Sequence, residues 1–579
     1  MPTFQPLEAL LTDLLRAAVK TLAPDAPLDT LAVERSKPGR GSDFQCAAAM
    51  QLSKVLRKNP RQIAQDIVAA MDLQGLAEVD VAGPGFIGFT VSEAALGRTL
   101  VAQLASPTLG AEPGDGSTIV IDFSSPNVAK RMHIGHIRST IIGDAIRRLG
   151  TWLGHRVVAD NHIGDWGTQF GQLIYAWNHW RDDAAYAEQP VEELERLYVR
   201  FHRDAADDPE LHDRSREELA KLQAGDPTNR ALWQQFIDAS RSEFDSIYAR
   251  LGVDFDVTYG ESHYNDMLQP LITELLASGV AVEDEGAAVV YFKDEEGEDA
   301  MTPFLIRKKD GAALYATTDI ATVRYRMAEW SPSRIIYVTD MRQQLHFQQL
   351  FATVRILGVD DVQLDHFWFG MMSLPEGAMS TRKGNVIRLE ELLDESEARA
   401  RAVLDERLGD DPTWSEADRA ELATILGLGA VKYADLSNNP QTNITFSFDK
   451  MLAFEGNTAP YLQYTSARTH SLARKAADAG LQADGSTFRA DDPAERELAL
   501  HLFAFGRAVT LAWEQGKPSI LATFLFELAQ RYHRWYAACP VLKGEDAELK
   551  VSRLNLNAAA QRVLSEGLGL LGIRVPERM

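Results

Sequence analysis

The stretch of residues 118–149 limits the possible folds more than any other part of the chain. Residues 118–123 form a short apolar run bounded by Gly116 and Pro126, which predicts a buried strand. From Ile134 onward the apolar residues recur at helical spacing, so a helix is expected after a tight loop. The segment is therefore predicted to run from a strand through a loop into a helix, the repeating unit of nucleotide-binding parallel sheets.

The start of this helix carries the first candidate site. His133 and His136 are three residues apart, so both can lie on the first helical turn. Free N–H groups and the positive end of the helix dipole favour phosphate there. Gly135 lacks a Cβ atom, so a flat ring such as adenine can approach the backbone closely. Histidines at a helix start also serve as caps or surface groups, and this alternative stays open.

The order of the predicted elements indicates a multidomain α/β protein. Residues 155–162 predict the next strand, and the order β-α-β indicates a parallel sheet of the Rossmann type. We expect an N-terminal α+β module, a Rossmann-type catalytic domain, a helical connector and a C-terminal all-α helical bundle, at residues 1–112, 113–388, 389–450 and 451–579. Within the catalytic domain we expect an acidic, mostly helical insertion without assigned chemistry and a mobile basic loop, at residues 178–300 and 378–385.

The composition is that of an ordinary globular chain in a reducing compartment. Its two cysteines are far apart and no Cys/His set has zinc spacing, so we expect neither a disulfide framework nor zinc. The first thirty residues lack the features of a signal or transit peptide, and no apolar run reaches transmembrane length. We therefore expect a cytoplasmic protein, without membrane contact and monomeric.

The formal net charge of −24 argues at first sight against a nucleic-acid partner. Residues 181–300 carry 11 basic and 30 acidic residues, however, so most of the negative charge lies in one segment. RNA binding requires a local basic track rather than a basic total. Candidates occur at 307–309, at 382–383 and at 130–131 together with Arg138, Arg147 and Arg148, and a solvated face is the alternative for each.

Two motifs resemble a known family. Asp-Phe-Ser-Ser-Pro-Asn-Val-Ala-Lys at 122–130, followed by His-Ile-Gly-His at 133–136, resembles the signature of class I aminoacyl-tRNA synthetases, and within them of arginyl-tRNA synthetases. Residues 379–385 resemble the second class I signature, Lys-Met-Ser-Lys-Ser, in a degenerate form. Ala378 stands where its first lysine would be, and Lys130 occupies the position at which arginyl enzymes often place a lysine instead.

The resemblance implies a reaction and its participants. Arginine, ATP and tRNA(Arg) would give arginyl-tRNA, AMP and pyrophosphate, with Mg²⁺ accompanying ATP and with tRNA needed for formation of the adenylate. Catalysis would consist of positioning and of stabilising charge on the phosphates. The implied catalytic residues are Lys130, His133, His136 and Arg382. The implied ATP contacts are His133, Gly135, His136, Met379, Ser380 and Lys383.

The amino-acid pocket is expected at the strand ends of the sheet. Five residues match positions at which arginyl-tRNA synthetases hold arginine: Asp122, Asn127, Tyr315, Asp319 and Gln343. Asp319 is expected to carry the guanidinium charge, with Tyr315 as the pocket wall. A helix cap is the alternative for Asp319, and a core position is the alternative for Tyr315.

The flanking domains are expected to contact tRNA. The N-terminal module resembles the family's elbow-binding domain, and the bundle resembles its anticodon-binding domain. Side chains that could meet unpaired bases in the bundle are Tyr464, Arg468, Trp535 and Tyr536, although aromatic residues of this kind more often lie in a core. The alternatives for the whole chain are a class I synthetase for another amino acid, a small-molecule nucleotidyltransferase and a catalytically idle RNA-binding relative.

Overall fold

A computed structural model describes residues 4–37, 41–294, 296–373, 388–485 and 488–579. The N-terminal module is an α+β unit whose four strands pair antiparallel in the order β1-β2-β4-β3. Its elements are α1 (Leu7–Leu22), β1 (Glu34–Arg35), β2 (Phe44–Cys46), α2 (Ala48–Leu56), α3 (Pro60–Ala70), β3 (Ala77–Ala82), β4 (Phe86–Val91) and α4 (Glu93–Ala105).

The glycine- and proline-rich segment after α4 is packed rather than free. Leu109 and Ala111 are buried, and Nε2 of Gln103 donates to the carbonyl of Leu502 in the C-terminal bundle at 2.7 Å. Asp43 accepts a hydrogen bond from Nε of Arg496 at 3.0 Å. The composition predicts a linker between independent units, but these apolar and charged contacts dock the N-terminal module on the bundle.

The catalytic region alternates strands and helices and contains the predicted insertion. In chain order its elements are β5 (Thr118–Asp122), α5 (Ile134–Trp152), β6 (Arg156–Asp160), α6 (Thr168–Trp180), α7 (Asp183–Glu188), α8 (Pro190–Asp207), α9 (Glu210–Gln223), α10 (Pro227–Leu251), α11 (Asn265–Ala277), β7 (Val282–Asp284), β8 (Ala287–Lys293), β9 (Asp299–Arg307), α12 (Tyr315–Trp330), β10 (Arg334–Tyr337), α13 (Gln344–Ile356), β11 (Gln363–His366) and β12 (Met372–Ser373). Short 3₁₀ turns lie at Glu261–Tyr264 and Met341–Gln343.

The central sheet is parallel, as the β-α-β order predicts. Its strands lie in the order β11-β10-β5-β6, and every neighbouring pair is parallel. Asp122 at the end of β5 is in register with Asp160 on one side and with Tyr337 on the other. The carboxyl ends of three strands therefore meet at one edge, where parallel sheets bind ligands.

Two local predictions in this region are wrong. The sequence of residues 314–326 predicts a strand that turns into a helix capped by Thr317 or Thr318. In the structure α12 begins at Tyr315, and Leu314 is its N-cap residue without a side-chain cap. The hydroxyl of Thr317 donates to the carbonyl of Ile306 at 2.6 Å, so the neighbouring β9 uses the group that was expected to cap the helix. The apolar run at 366–372 predicts the last strand of the sheet, but that strand, β11, ends at His366.

The described residues from 388 onward are mainly helical and contain one short strand. The connector contains α14 (Leu389–Leu408), α15 (Glu416–Leu436), β13 (Ile444–Thr445) and α16 (Phe448–Met451). The bundle contains α17 (Ala459–Asp478), α18 (Pro493–Leu502), α19 (Phe505–Glu514), α20 (Pro518–Ala538) and α21 (Ala547–Leu570). β13 pairs in parallel with β12. None of the helices in the described ranges combines the length and apolar composition needed to cross a membrane.

Candidate active site

The first turn of α5 holds its two histidines in a reciprocal cap. His133 is the N-cap residue, and its Nδ1 accepts a hydrogen bond from the backbone N–H of Gly135 at 3.0 Å. Nδ1 of His136 accepts from the backbone N–H of His133 at 3.1 Å, and the ring centres are 4.0 Å apart. A Cβ atom at Gly135 would lie 2.7 Å from Cε1 of His133, so this packing requires glycine. The alternative that these histidines cap the helix is therefore correct, and the cap uses the Nδ1 atom of each ring.

The cap determines which ring atoms are left for a ligand. A neutral ring nitrogen that accepts a hydrogen bond carries no proton, so each ring must carry its proton on Nε2. Burial lowers the pKa of His133, and it lowers the pKa of His136 to about 3. Both rings are therefore neutral near pH 7 and present Nε2–H donors beside the helix N-terminus, an arrangement that suits phosphate.

Lys130 lies in the loop before these histidines. Its Nζ is 4.8 Å from the ring centre of Tyr198 on α8, which is a cation–π contact. Burial lowers the pKa of the ammonium group, and the charge of Glu195 opposes that shift. The charge of Lys130 also helps to lower the pKa of His133, so the lysine lies close enough to influence the histidine turn electrostatically.

Tyr315 and Asp319 lie one turn apart at the start of α12. Tyr315 is 65% exposed, which excludes the core alternative. Asp319 lies inside the helix, which excludes the capping alternative, and its Oδ2 is 2.5 Å from Nε2 of His346. Both alternatives are therefore excluded, and the assignment of the pair to arginine stays a prediction.

Glu261 interacts electrostatically with this pair and was not predicted from the sequence. Burial, with the charges of Asp319 and Asp165, raises its pKa to about 8. The charge of Glu261 is also the largest cause of the raised pKa of Tyr315, so the tyrosine, Glu261 and Asp319 share one electrostatic environment. The residue lies in the acidic insertion, and its local sequence Gly-Glu-Ser is not distinctive.

The loop after β6 fixes the position of Glu261. The carboxylate of Asp165 accepts hydrogen bonds from the backbone N–H of Ser262 at 2.8 Å and from its hydroxyl at 2.6 Å. The backbone N–H of Glu261 donates to the carbonyl of Ile163 at 3.1 Å. The glycine-rich segment at 163–171, which resembles the family's second nucleotide-side motif, thus also anchors a residue of the insertion.

Asp122 does not present a free carboxylate to a substrate. Its Oδ2 accepts from Nη2 of the fully buried Arg326 at 2.6 Å, and its Oδ1 accepts from the hydroxyl of Ser125 at 3.1 Å. The same guanidinium contacts Asp160 at 2.7 Å. The expectation that Asp122 binds arginine does not fit these contacts, because an internal arginine already occupies it.

Asn127 and Gln343 follow the carboxyl ends of two neighbouring parallel strands, β5 and β10. Both side chains are exposed. Asn127 lies beside Gly164, whose Cβ, if present, would be 2.1 Å from Oδ1 of the asparagine. Gln343 ends the 3₁₀ turn that Asp340 caps. The predicted site residues of the basic loop, Met379, Ser380, Arg382 and Lys383, lie outside the described residues.

Three of the four bundle residues predicted to contact tRNA are half-buried and contact one another, whereas the fourth lies in the core. Arg468 donates to the hydroxyl of Tyr464 at 2.7 Å and lies 5.1 Å from the ring centre of Tyr536. Trp535 is fully buried, so the expectation that it stacks on a base is wrong. Its position on α20 faces the bundle core, as the alternative stated.

Comparison with known proteins identifies the family. The sequence model described as tRNA synthetases class I (R), catalytic domain, matches residues 99–448, more than half of the chain. The model of the arginyl tRNA synthetase N terminal domain matches residues 9–91. The chain belongs to the arginyl-tRNA synthetase family. The DALR anticodon binding domain matches residues 462–579, in the helical bundle.

Relatives and solved structures of this family agree along the whole chain. The chain is 44% identical to an arginine–tRNA ligase of Fusobacterium nucleatum subsp. nucleatum, covering 98% of this chain and 99% of the relative. An arginyl-tRNA synthetase structure from Plasmodium falciparum matches with a TM-score of 0.83 and 25% identity, covering all of both chains. The Thermus thermophilus arginyl-tRNA synthetase matches with a TM-score of 0.81 and 28% identity, covering 99% of this chain and all of the other. Membership decides against the alternatives of another amino acid or a small-molecule nucleotidyltransferase.

Proposed function

We propose that Glu261, Asp319 and Tyr315 bind the guanidinium of arginine, and that His133, His136 and Lys130 bind the phosphates of ATP. The activity itself follows from membership in the family. The chain is an arginine–tRNA ligase, an enzyme that uses ATP to charge tRNA(Arg) with arginine for protein synthesis.

The main support for the arginine pocket is that the carboxyl groups of Glu261 and Asp319 interact electrostatically. Glu261 has a pKa raised to about 8 because it is buried near Asp319. A ligand cation between them would favour the ionised form of Glu261 and offset the repulsion between like charges. A guanidinium is a planar fork of donors that two carboxylates can accept at fixed angles, whereas an ammonium is a point charge.

The chemistry requires positioned donors rather than a protein nucleophile. The carboxylate of arginine attacks the α-phosphate of ATP, the bond to pyrophosphate breaks, and arginyl-adenylate forms. The Nε2–H groups of His133 and His136 stabilise the charge that develops on the phosphates, and Lys130 offsets the charge of the leaving pyrophosphate. A ribose hydroxyl at the 3′ end of tRNA then attacks the arginyl carbonyl, and AMP leaves.

Further assignments belong to the same proposal. Mg²⁺ enters with ATP as part of that substrate. Asn127 and Gln343 hold the α-amino and carboxylate end of arginine, because they follow the strand ends next to the pocket. The resemblance places Met379, Ser380, Arg382 and Lys383 at the ATP phosphates. The N-terminal module and the helical bundle, with Arg468, Tyr464 and Tyr536, contact tRNA, and the enzyme is a cytoplasmic monomer.

The experiment that tests this proposal is arginine-dependent exchange of pyrophosphate into ATP, with and without cognate tRNA. We expect exchange only when tRNA(Arg) is present, because Ala378 stands where the second signature usually has a lysine and the site is incomplete without tRNA. A tRNA for another amino acid is the control. Rapid exchange with enzyme, ATP and arginine alone would contradict the proposed dependence, and sedimentation of a species far above 64.2 kDa would contradict the monomer.

A further inference from the structure

A buried arginine joins the catalytic helix to the connector. Arg138 lies on α5, two residues after His136, and is 1% exposed. Its Nε contacts both carboxylate oxygens of Asp435 on α15, at 3.0 and 3.1 Å, and its Nη2 contacts Oδ1 at 2.9 Å. Asp435 is itself 2% exposed, so the ion pair is excluded from water.

The same guanidinium also binds three backbone carbonyls. Nη1 donates to the carbonyls of Gly370 at 2.6 Å and Thr442 at 3.1 Å, and Nη2 donates to the carbonyl of Pro440 at 3.1 Å. Gly370 precedes β12, whereas Pro440 and Thr442 precede β13. Arg138 therefore ties α5 to the start of both strands of this small parallel pair.

The two strands approach each other closely where Arg138 binds them. The backbone N–H of Gly370 donates to the carbonyl of Pro440 at 2.9 Å, and that of Met371 donates to Oδ1 of Asn443 at 2.7 Å. A Cβ atom at Gly370 would lie 2.6 Å from the carbonyl oxygen of Thr442. This spacing leaves no room for a larger residue, so the strand start is held at one distance from α5.

Phe369 extends the connection to the proposed amino-acid site. Its ring centre is 5.5 Å from the guanidinium carbon of Arg138. Its carbonyl accepts the backbone N–H of Met341 at 2.9 Å, in the 3₁₀ turn that ends at Gln343. Arg138, on the helix of the histidine turn, thus contacts the residue before β12 directly and the turn of Gln343 only through Phe369.

The contacts of Arg138 are better explained by a role in positioning the segments that it joins than by a gain in folding stability. A buried ion pair contributes little net stability compared with apolar residues of similar volume, because both charges lose their hydration. Arginine supplies five donors in a rigid fork, whereas lysine has three donors around one point. The bonds to one carboxylate and three carbonyls on different segments use this fork fully.

We propose that Arg138 is a positioning residue that sets the histidine turn of α5 at a fixed distance from β12 and from the turn of Gln343. It contacts none of the proposed ligand groups itself. It acts through the geometry of His133 and His136, so the inference rests on their proposed role at the ATP phosphates.

The test compares Arg138→Lys with Arg553→Lys as a matched control. Arg553 forms an ion pair with Glu495 at 2.6 Å within the C-terminal bundle, and the two side chains are 13% and 1% exposed. For each variant we would measure the thermal midpoint, the arginine KM and the kcat of tRNA-supported arginine activation. We expect Arg138→Lys to lower kcat by about 10²-fold with little change in arginine KM, the scale of a misplacement of about 1 Å at the reacting atoms. Arg553→Lys should lose stability without losing kcat.

Two further variants keep the test decisive if Arg138→Lys folds poorly. Asp435→Asn removes one of the two carboxylate oxygens that the guanidinium contacts, so it should lower kcat as Arg138→Lys does. The apolar pair Arg138→Met with Asp435→Leu removes both charges together. We expect the apolar pair to recover the thermal midpoint but not kcat. Recovery of both by the apolar pair, or a wild-type kcat per folded molecule in Arg138→Lys or Asp435→Asn, would overturn the positioning role.

The result can be separated from a failure of the proposed function. If His133→Asn lowers kcat and Arg138→Lys does not, the phosphate site stands and the role of Arg138 is wrong. If neither variant lowers kcat, the assignment of the histidine turn to ATP is wrong, and the inference falls with it.

Discussion

Nε2 of His346 lies 2.5 Å from Oδ2 of Asp319. Within the described part of the chain, Oδ1 of this aspartate has no hydrogen-bond partner. The carboxylate is therefore oriented by one neighbour and open to a second donor, as a site for a cationic ligand requires.

Replacement of Asp319 by asparagine should weaken arginine binding selectively. Loss of one partner from a desolvated charge pair costs on the order of 3 kcal/mol, so the arginine KM should rise by about 10²-fold. The ATP KM should stay near the wild-type value, since the histidine turn is untouched. Asp266→Asn, which removes an exposed carboxylate from the first turn of α11, is the control. Equal arginine KM values in wild type and Asp319→Asn would remove Asp319 from the pocket.

Arginine binding should release a proton from Glu261 near neutral pH. The pKa of this buried group is raised to about 8, so without ligand it is mostly protonated at pH 7, and a bound cation favours ionisation. Arginine affinity should therefore increase as pH rises from about 6 to 8 and then level off. Calorimetry at pH 7 in two buffers of different ionisation enthalpy measures the released proton.

Glu261→Gln provides the matched variant for this measurement. It keeps the shape of the side chain and removes its titration, so the proton release and the pH dependence of arginine affinity should both disappear. A variant that releases as many protons as the wild type would show that another group titrates.

His133→Asn should separate the capping role of His133 from its role at phosphate. Asparagine is a good N-cap residue, so α5 should keep its start, but it places no donor at the position of Nε2. The rate of arginine activation should fall by about 10²-fold, the cost of losing one positioned donor. His179→Asn, on the exposed end of α6, is the control. A wild-type rate in a folded His133→Asn protein would contradict the phosphate assignment.

The parallel sheet and the histidine turn could be predicted because their signals are local. An apolar run, a loop and a helical period determine β5 and α5 within about thirty residues. The start of α12 was mispredicted because Thr317 bonds the neighbouring β9, a partner that its own sequence does not indicate. The role of Asp122 was mispredicted for the same reason, since Arg326 lies far along the chain and reaches it only in the folded sheet.

Glu261 shows the limit of the site prediction. Its carboxyl group acquires a raised pKa from burial and from Asp319, and its backbone is placed by Asp165. Neither the burial of Glu261 nor its interactions with Asp319 and Asp165 are indicated by a periodic pattern or a motif in the sequence. Residues at strand ends could be found from topology alone, but a residue brought in by an insertion could not.

The bundle residues should separate into stability and RNA effects. Trp535→Ala should lower the free energy of unfolding by about 3–5 kcal/mol, because it leaves a cavity in the core. Arg468→Ala should lower stability less than Trp535→Ala and raise the Kd for tRNA, since it removes a half-buried cation that contacts Tyr464 and Tyr536. Urea unfolding and filter binding measure the two effects. If Trp535→Ala were as stable as wild type and bound tRNA more weakly, the prediction that Trp535 stacks on a base would be supported after all.

The pocket of Glu261, Asp319 and Tyr315 is expected to select a guanidinium group. The most direct test is aminoacylation of total tRNA with arginine, citrulline, lysine and the other protein amino acids. Citrulline has nearly the shape of arginine without its charge, and lysine has the charge without the fork. We predict charging with arginine, and negligible charging with citrulline or lysine. Charging of citrulline or lysine at a rate comparable to that of arginine would contradict the account.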